Sequence, residues 1–249
     1  MSTTSPVVEK AEEAPEALPI IEHLPVDHLV TEDDTPVDNL FSEKQQRLLT
    51  EPLYSSWAGP GEGRPFLVMA NVGLFYALYK PPIVPDVLLS LDVQAPSDLW
   101  PKEHRSYFIW LYGKPPDVVI EIVSNREGEE LGRKLETYAR IGVPYYVVFD
   151  PGGFLGIGLL RVHELSPLKP PKVISEKELP GVGLGLTLWQ GEYEGVEALW
   201  LRWCDLEGQV IPTGAERAEQ ERQRAERERQ RAERLAAQLR ALGVEPENG

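Results

Sequence analysis

The 249-residue sequence predicts an α+β fold with α/β-like character: a mixed β-sheet flanked by helices, with a C-terminal charged helix. Three observations predict it. The stretch from Pro116 to Ser124 is nearly continuous in β-branched residues and reads as a strand covered on both faces. Around it the elements run helix, strands, helix, strand and then further strands. A hydrophobic share of 42%, with six Trp and nine Tyr, supplies a real core and excludes a wholly disordered chain.

From Met1 to about residue 36 the chain is rich in Pro, Glu, Ala and Thr, the composition of a disordered acidic arm. Asp38-Asn39 then reads as a cap, and Phe41, Leu48 and Leu49 recur at roughly helical spacing. Pro52 ends this helix or lies just beyond it. Residues 55–64 hold three Gly and one Pro and read as a loop. Extended segments are expected over residues 66–75, 84–93 and 116–124. Between the last two, Gln94 to Lys114 carries Trp100, Tyr107, Phe108, Trp110 and Tyr112, and suits a loop or another strand packed over a site. Glu127 to Ile141 reads as a helix with Leu131, Leu135, Tyr138 and Ala139 on one stripe, closed by Gly142-Val143-Pro144. Ser124-Asn125 would cap it. A short strand at 145–151 and alternating β segments near 159–165 and 183–203 complete the folded part, residues 37–214.

Residues 215–243 form a different object. Glu, Arg, Gln, Ala and Leu dominate, with opposite charges often three or four residues apart. Ala218, Ala225, Ala232 and Leu239 recur every seven residues, and Leu235 and Leu242 stand at the three-residue offset of a heptad seam. Two readings stay open: a solvated single helix, and a weak coiled coil that makes the chain a homo-oligomer. Either way the segment has little apolar surface to contribute, so the core should fold without it.

Composition also excludes function classes. One cysteine, Cys204, rules out an internal disulfide, and four scattered His without a Cys pair rule out a zinc finger. No apolar run is long enough to span a bilayer and the N-terminus is acidic, so a cytoplasmic protein is expected. The formal net charge of −15 argues at face value against a nucleic-acid partner. Residues 1–44 hold 11 acidic and 2 basic residues, however, so more than half of that charge belongs to the arm.

Three acids sit where acids are costly. Asp86 lies in an apolar strand candidate, and Asp117 and Glu121 share one face of the most hydrophobic strand. A buried carboxylate costs several kcal/mol unless it is compensated. Asp117 after Pro115-Pro116, and Asp86 after Pro85, are each explained singly by a turn or cap. Glu121, with two apolar neighbours on each side, is the harder to dismiss. If Asp86 and Glu121 lie on neighbouring strands, they can converge on a hard divalent cation such as Mg²⁺ or Mn²⁺. Such a cation lowers the pKa of a bound water and stabilises charge developing on a phosphodiester. Lys134 is the candidate to position or deprotonate that water. Glu43 on the first helix is either a surface acid or a further helper at the metal. His104 and His163 have no partners at nucleophile or metal spacing, and no phosphate-binding glycine loop is present.

The ordered string Pro85-Asp86-Val87, then residues 116–124 (PDVVIEIVS), then residues 134–151 (KLETYARIGVPYYVVFDP), resembles the Uma-two family of restriction-endonuclease-like proteins, within the PD-(D/E)XK nuclease superfamily. The resemblance covers about residues 38 to 205. It implies a restriction-endonuclease-like core and a metal-dependent endonuclease acting on DNA. Carried over, Asp86 matches the Asp of the PD element and Glu121 the acid of the (D/E)XK element. The carbonyl of Ile122 would be a further metal ligand, and Glu43 matches a helical acid that supports the site. The Lys expected two residues after the acid is replaced by Val123, and Lys134 matches the position from which the following helix supplies it. A non-catalytic nuclease-like scaffold, binding nucleic acid or a protein, is the reading from another class.

Overall fold

The computed structural model describes residues 39–242, apart from residues 62, 78, 79, 102, 103, 125–130 and 177. The expected arm, residues 1–36, lies outside the described residues, as do residue 243, Asn125 and the first residues of the helix predicted from Glu127.

Helix α1 spans Leu40–Ser55. Its cap is Asn39, whose side chain accepts the Ser42 N–H at 2.9 Å. The helix continues through Pro52 instead of ending there. Proline removes the donor that would reach the Leu48 carbonyl and crowds that carbonyl, and the helix runs only three residues past it. The N–H groups of Ser56 and Trp57 then both turn back to the Pro52 carbonyl and close the helix.

The expected strand over 66–75 divides in two. Strand β1 is Phe66–Ala70, and β2, Leu74–Phe75, belongs to a different sheet. Asn71 causes the break: its φ of 52° is left-handed, a conformation Asn tolerates better than most residues. Strand β3 is Val87–Leu91, and Asp92, at φ 61°, turns the chain away at its end. The aromatic insertion contains the two-residue strand β4, Tyr107–Phe108, and a single helical turn, α2, Ile109–Tyr112. β4 pairs in parallel with β2. Strand β5 is Val118–Ile122, helix α3 is Arg133–Ile141, and β6 is Tyr145–Phe149. Gly142, at φ 87°, ends α3 with its N–H turned back to Ala139, as the Gly-then-Pro signal requires. Strands β7, Leu160–Ser166, and β8, Lys169–Ile174, form a hairpin, as do β9, Gly185–Tyr193, and β10, Val196–Cys204. Helix α4 spans Gly214–Ala241.

The main sheet has the order β1-β3-β5-β6-β7-β8. Only the β5–β6 pair is parallel, and α3 lies in the connection between them, so the sheet is mixed. Every residue of β3, β5 and β6 is buried, which explains their continuous apolar runs. One face packs Val87, Leu89, Ile120 and Phe149 against Leu49 and Leu53 of α1 and against Leu201 and Trp203 of β10. The other packs Leu88, Val119, Tyr146 and Val148 against Tyr138 of α3 and Leu74 of β2. Each such side chain contributes about 1.5–3 kcal/mol on burial. Gln45 ties α1 to β10 by exchanging two hydrogen bonds with the backbone of Leu201, at 2.8 and 2.9 Å.

Helix α4 joins the core only through its first turn. Thr213 and Glu216 form a capping box, and Glu216 also pairs with buried Arg202 at 2.5 Å. Arg217 donates to the Ser55 carbonyl. Beyond residue 219 nearly every side chain is exposed, and ion pairs between Arg and Glu three and four residues apart line the helix.

Candidate active site

Strands β3 and β5 run antiparallel with Val87 opposite Ile120 and Leu88 opposite Val119. Continuing that register by one residue sets Asp86 opposite Glu121. Directly opposed residues in an antiparallel pair project to the same face. Both acids therefore stand at the same end of β3 and β5, with Glu121 meeting α3 and Asp86 within reach of Gln46 on α1.

The carboxylate of Asp86 is tied at both oxygens. One accepts the Ile122 N–H at 2.6 Å, the other the Gln46 amide at 3.2 Å. Gln46 is itself held by Asn71, whose side-chain amide donates to its oxygen at 3.1 Å. The Asn71 N–H also donates to the Asp86 carbonyl, so the left-handed turn after β1 fixes both partners. Glu121 is only 3% exposed. One of its oxygens receives the Lys134 ammonium at 3.1 Å, and the other receives the Tyr138 hydroxyl at 2.7 Å. Lys134 and Tyr138 lie four residues apart on α3, and that spacing puts them on one helix face. Burial and the neighbouring Glu121 carboxylate raise the Tyr138 pKa well above the usual tyrosine value, so its hydroxyl remains a donor.

The structure thus brings Asp86, Glu121 and Lys134 into one cluster, with Ile122 beside them through its N–H. Glu43 is not in it. Its side chain is about half exposed and pairs with Arg47 at 2.8 Å, and Arg47 pairs in turn with Glu194 at 2.6 Å. The α1 side chain at Asp86 is Gln46, one turn further on. A neutral amide donates to Asp86, whereas a third carboxylate there would add like-charge repulsion. Asp117 lies at the opposite end of β5, where it accepts the Leu91 N–H at 2.7 Å and pairs with Lys114 at 2.5 Å, a capping role. His163 is buried against Tyr146, and burial lowers its pKa.

Gln46, Asn71 and Tyr138 were not singled out by sequence reasoning. Tyr138 read as a member of an apolar stripe, and its four-residue spacing from Lys134 was the one available signal. Asn71 could have been flagged as a residue that tolerates a turn conformation inside an apolar run. For Gln46 nothing local distinguishes it from Gln45, which serves the core instead.

Among the described residues no group of three His, Cys, Asp or Glu gathers. A zinc-type site is therefore not formed by them. The donors at Asp86 and Glu121 are hard oxygens, and one or two carboxylates with waters are a sufficient set for Mg²⁺ or Mn²⁺. The residues fit such an ion.

A family model described as "Putative restriction endonuclease" (Uma2) matches residues 32–183. The chain belongs to the Uma2 family. The Uma2 match begins ahead of α1 and ends just before β9, so it contains all of Gln46, Asn71, Asp86, Glu121, Lys134 and Tyr138. The β9–β10 hairpin and α4 lie beyond it. No curated protein matches the chain. Membership of Uma2 supports a nuclease in general, and no helix among the described residues is long and apolar enough to cross a membrane.

Proposed function

We propose that the protein is a divalent-metal-dependent DNA endonuclease that hydrolyses phosphodiester bonds. The carrying observation is the Lys134–Glu121 contact at 3.1 Å. It supplies from α3 the lysine that the strand itself lacks at Val123, next to an acid that faces Asp86. Asp86 and Glu121 would hold the ion, with the Ile122 carbonyl as a further oxygen ligand. When bound, the ion polarises the phosphate and lowers the pKa of a water on it.

The chain's own groups do the rest. The hydrogen bonds from Ile122 and Gln46 fix the Asp86 carboxylate, so that no reorganisation is needed when substrate arrives. Tyr138 fixes the far oxygen of Glu121 and leaves the near one to Lys134. The Lys134 ammonium, 30% exposed on its open side, orients the attacking water and donates to the phosphate oxygen on which charge builds. The water oxygen bonds to phosphorus and gives up its proton to bulk solvent, the bond from phosphorus to the leaving sugar oxygen breaks, and that oxygen takes up a proton from solvent.

The test is cleavage of plasmid and single-stranded DNA with Mg²⁺ or Mn²⁺, by the wild type and by Asp86→Ala, Glu121→Gln and Lys134→Met. Cleavage is expected in the wild type and a loss of about a hundredfold or more in each variant. A folded wild type that binds DNA but leaves it intact with either ion would overturn the proposal in favour of a non-catalytic scaffold.

A further inference from the structure

On α3, the residues after Lys134 line a second feature. A cleft of about 250 Å³ lies between this helix and the small β2/β4 unit, lined by Tyr76, Ile109, Thr137, Arg140 and Ile141. Its size is below the ~300–1,000 Å³ of sites that take drug-sized ligands, and suits one planar ring system. Its chemistry is equally specific. Ile109 and Ile141 supply apolar lining, Tyr76 an aromatic ring, and exposed Arg140 a planar guanidinium with several donors. The Thr137 hydroxyl donates to the Arg133 carbonyl at 2.6 Å and keeps its acceptor capacity for a ligand.

We infer that this cleft is a nucleobase subsite, taking an unpaired base of the strand whose phosphate lies at Lys134. The inference rests on the nuclease reading and names how that site grips its substrate. Thr137 and Ile141 follow Lys134 at helical spacing, so the cleft lies within about 10 Å of the lysine along the helix axis. That is roughly the rise of three stacked nucleotides. The charge agrees: Arg133, Lys134 and Arg140 oppose only Glu136 on α3, in a chain of net charge −15. Beside the cleft, Phe75 and Phe108 stack at 4.5 Å and Trp110, 46% exposed, packs on Phe108 at 5.2 Å. Aromatic rings backed by arginine are the usual means of holding unpaired bases, because every base has a π-face.

The test is fluorescence anisotropy of a labelled single-stranded DNA oligonucleotide in EDTA, where cleavage does not interfere. A single abasic nucleotide is moved along the oligonucleotide. Affinity of the wild type should fall about tenfold at one position. In Tyr76→Ala and in Arg140→Ala, the latter at an exposed helix position and each checked for an intact fold by circular dichroism, the same abasic substitution should cost nothing further. A flat scan in the wild type, or a sensitive position that survives in both variants, overturns the subsite. Cleavage with a flat scan would remove the subsite and leave the nuclease. A localised scan without cleavage under Mg²⁺ or Mn²⁺ would do the reverse.

Discussion

At buried Glu121 and half-buried Asp86, charge is tolerated because every carboxylate oxygen has a donor. Asp86 takes a backbone N–H and an amide, and Glu121 takes an ammonium and a phenol. Gln46 is the informative residue, because an acid at this place would give a third carboxylate for a metal. Gln46→Glu should therefore lower the melting temperature of the metal-free protein, through loss of the donor to Asp86 and repulsion between two acids. The cost is about 1–3 kcal/mol. Added Mg²⁺ should recover most of that loss in the variant and do so at lower concentration than it stabilises the wild type, as followed by differential scanning fluorimetry. Equal melting temperatures without metal would show that Gln46 does not act on Asp86.

At the scale of elements, α4 is two things in one helix. The first turn is part of the core, since Glu216 neutralises Arg202, which is buried and stacks on Trp189. The remainder projects about 30 Å and touches mainly itself. Truncation of the whole segment from residue 215 removes Glu216, so the expectation that the core is indifferent to its loss applies only beyond the first turn. A chain ending after Glu221 should melt within about 1 °C of the full chain. Glu216→Ala should cost about 1–3 kcal/mol, by leaving a buried guanidinium without its carboxylate. Equal stability of the two proteins in urea would contradict this division. The exposed Leu235, Leu239 and Leu242 stand at the spacing of the predicted seam.

Over the whole molecule, the raised tyrosine pKa values predict a loss of stability at alkaline pH. Burial is the first cause in each case: it pushes Tyr107 and Tyr193 up to about 12, and raises Tyr112, Tyr145 and Tyr138 above the ordinary value. A raised pKa means that the folded state holds its proton more tightly than the unfolded state does. Stability from these groups is therefore complete below the unfolded tyrosine value near 10 and is lost as pH rises through the folded values. Melting temperature should fall steeply above about pH 10, and Tyr138→Phe should fall less steeply, because one such group has been removed. A parallel decline in the two proteins would exclude Tyr138 as a contributor.

The sequence by itself determined the mixed sheet and its central strands, because β3, β5 and β6 are buried on both faces and need unbroken apolar runs. It also marked Glu121, since an acid inside such a run stands out. The signals at α3 and at the cap of α1 were local, made by Gly142, Pro144 and Asn39, and so could be read directly. Tertiary structure alone decided which polar side chains meet. The register that sets Asp86 against Glu121 depends on two strands separated by 26 residues of chain, and the choice of Gln46 over Glu43 depends on how α1 is rotated over the sheet. Neither the pairing of distant strands nor the docking angle of a helix is written in local spacing. Both follow from the packing of the two cores, which places a donor on each oxygen of the two acids.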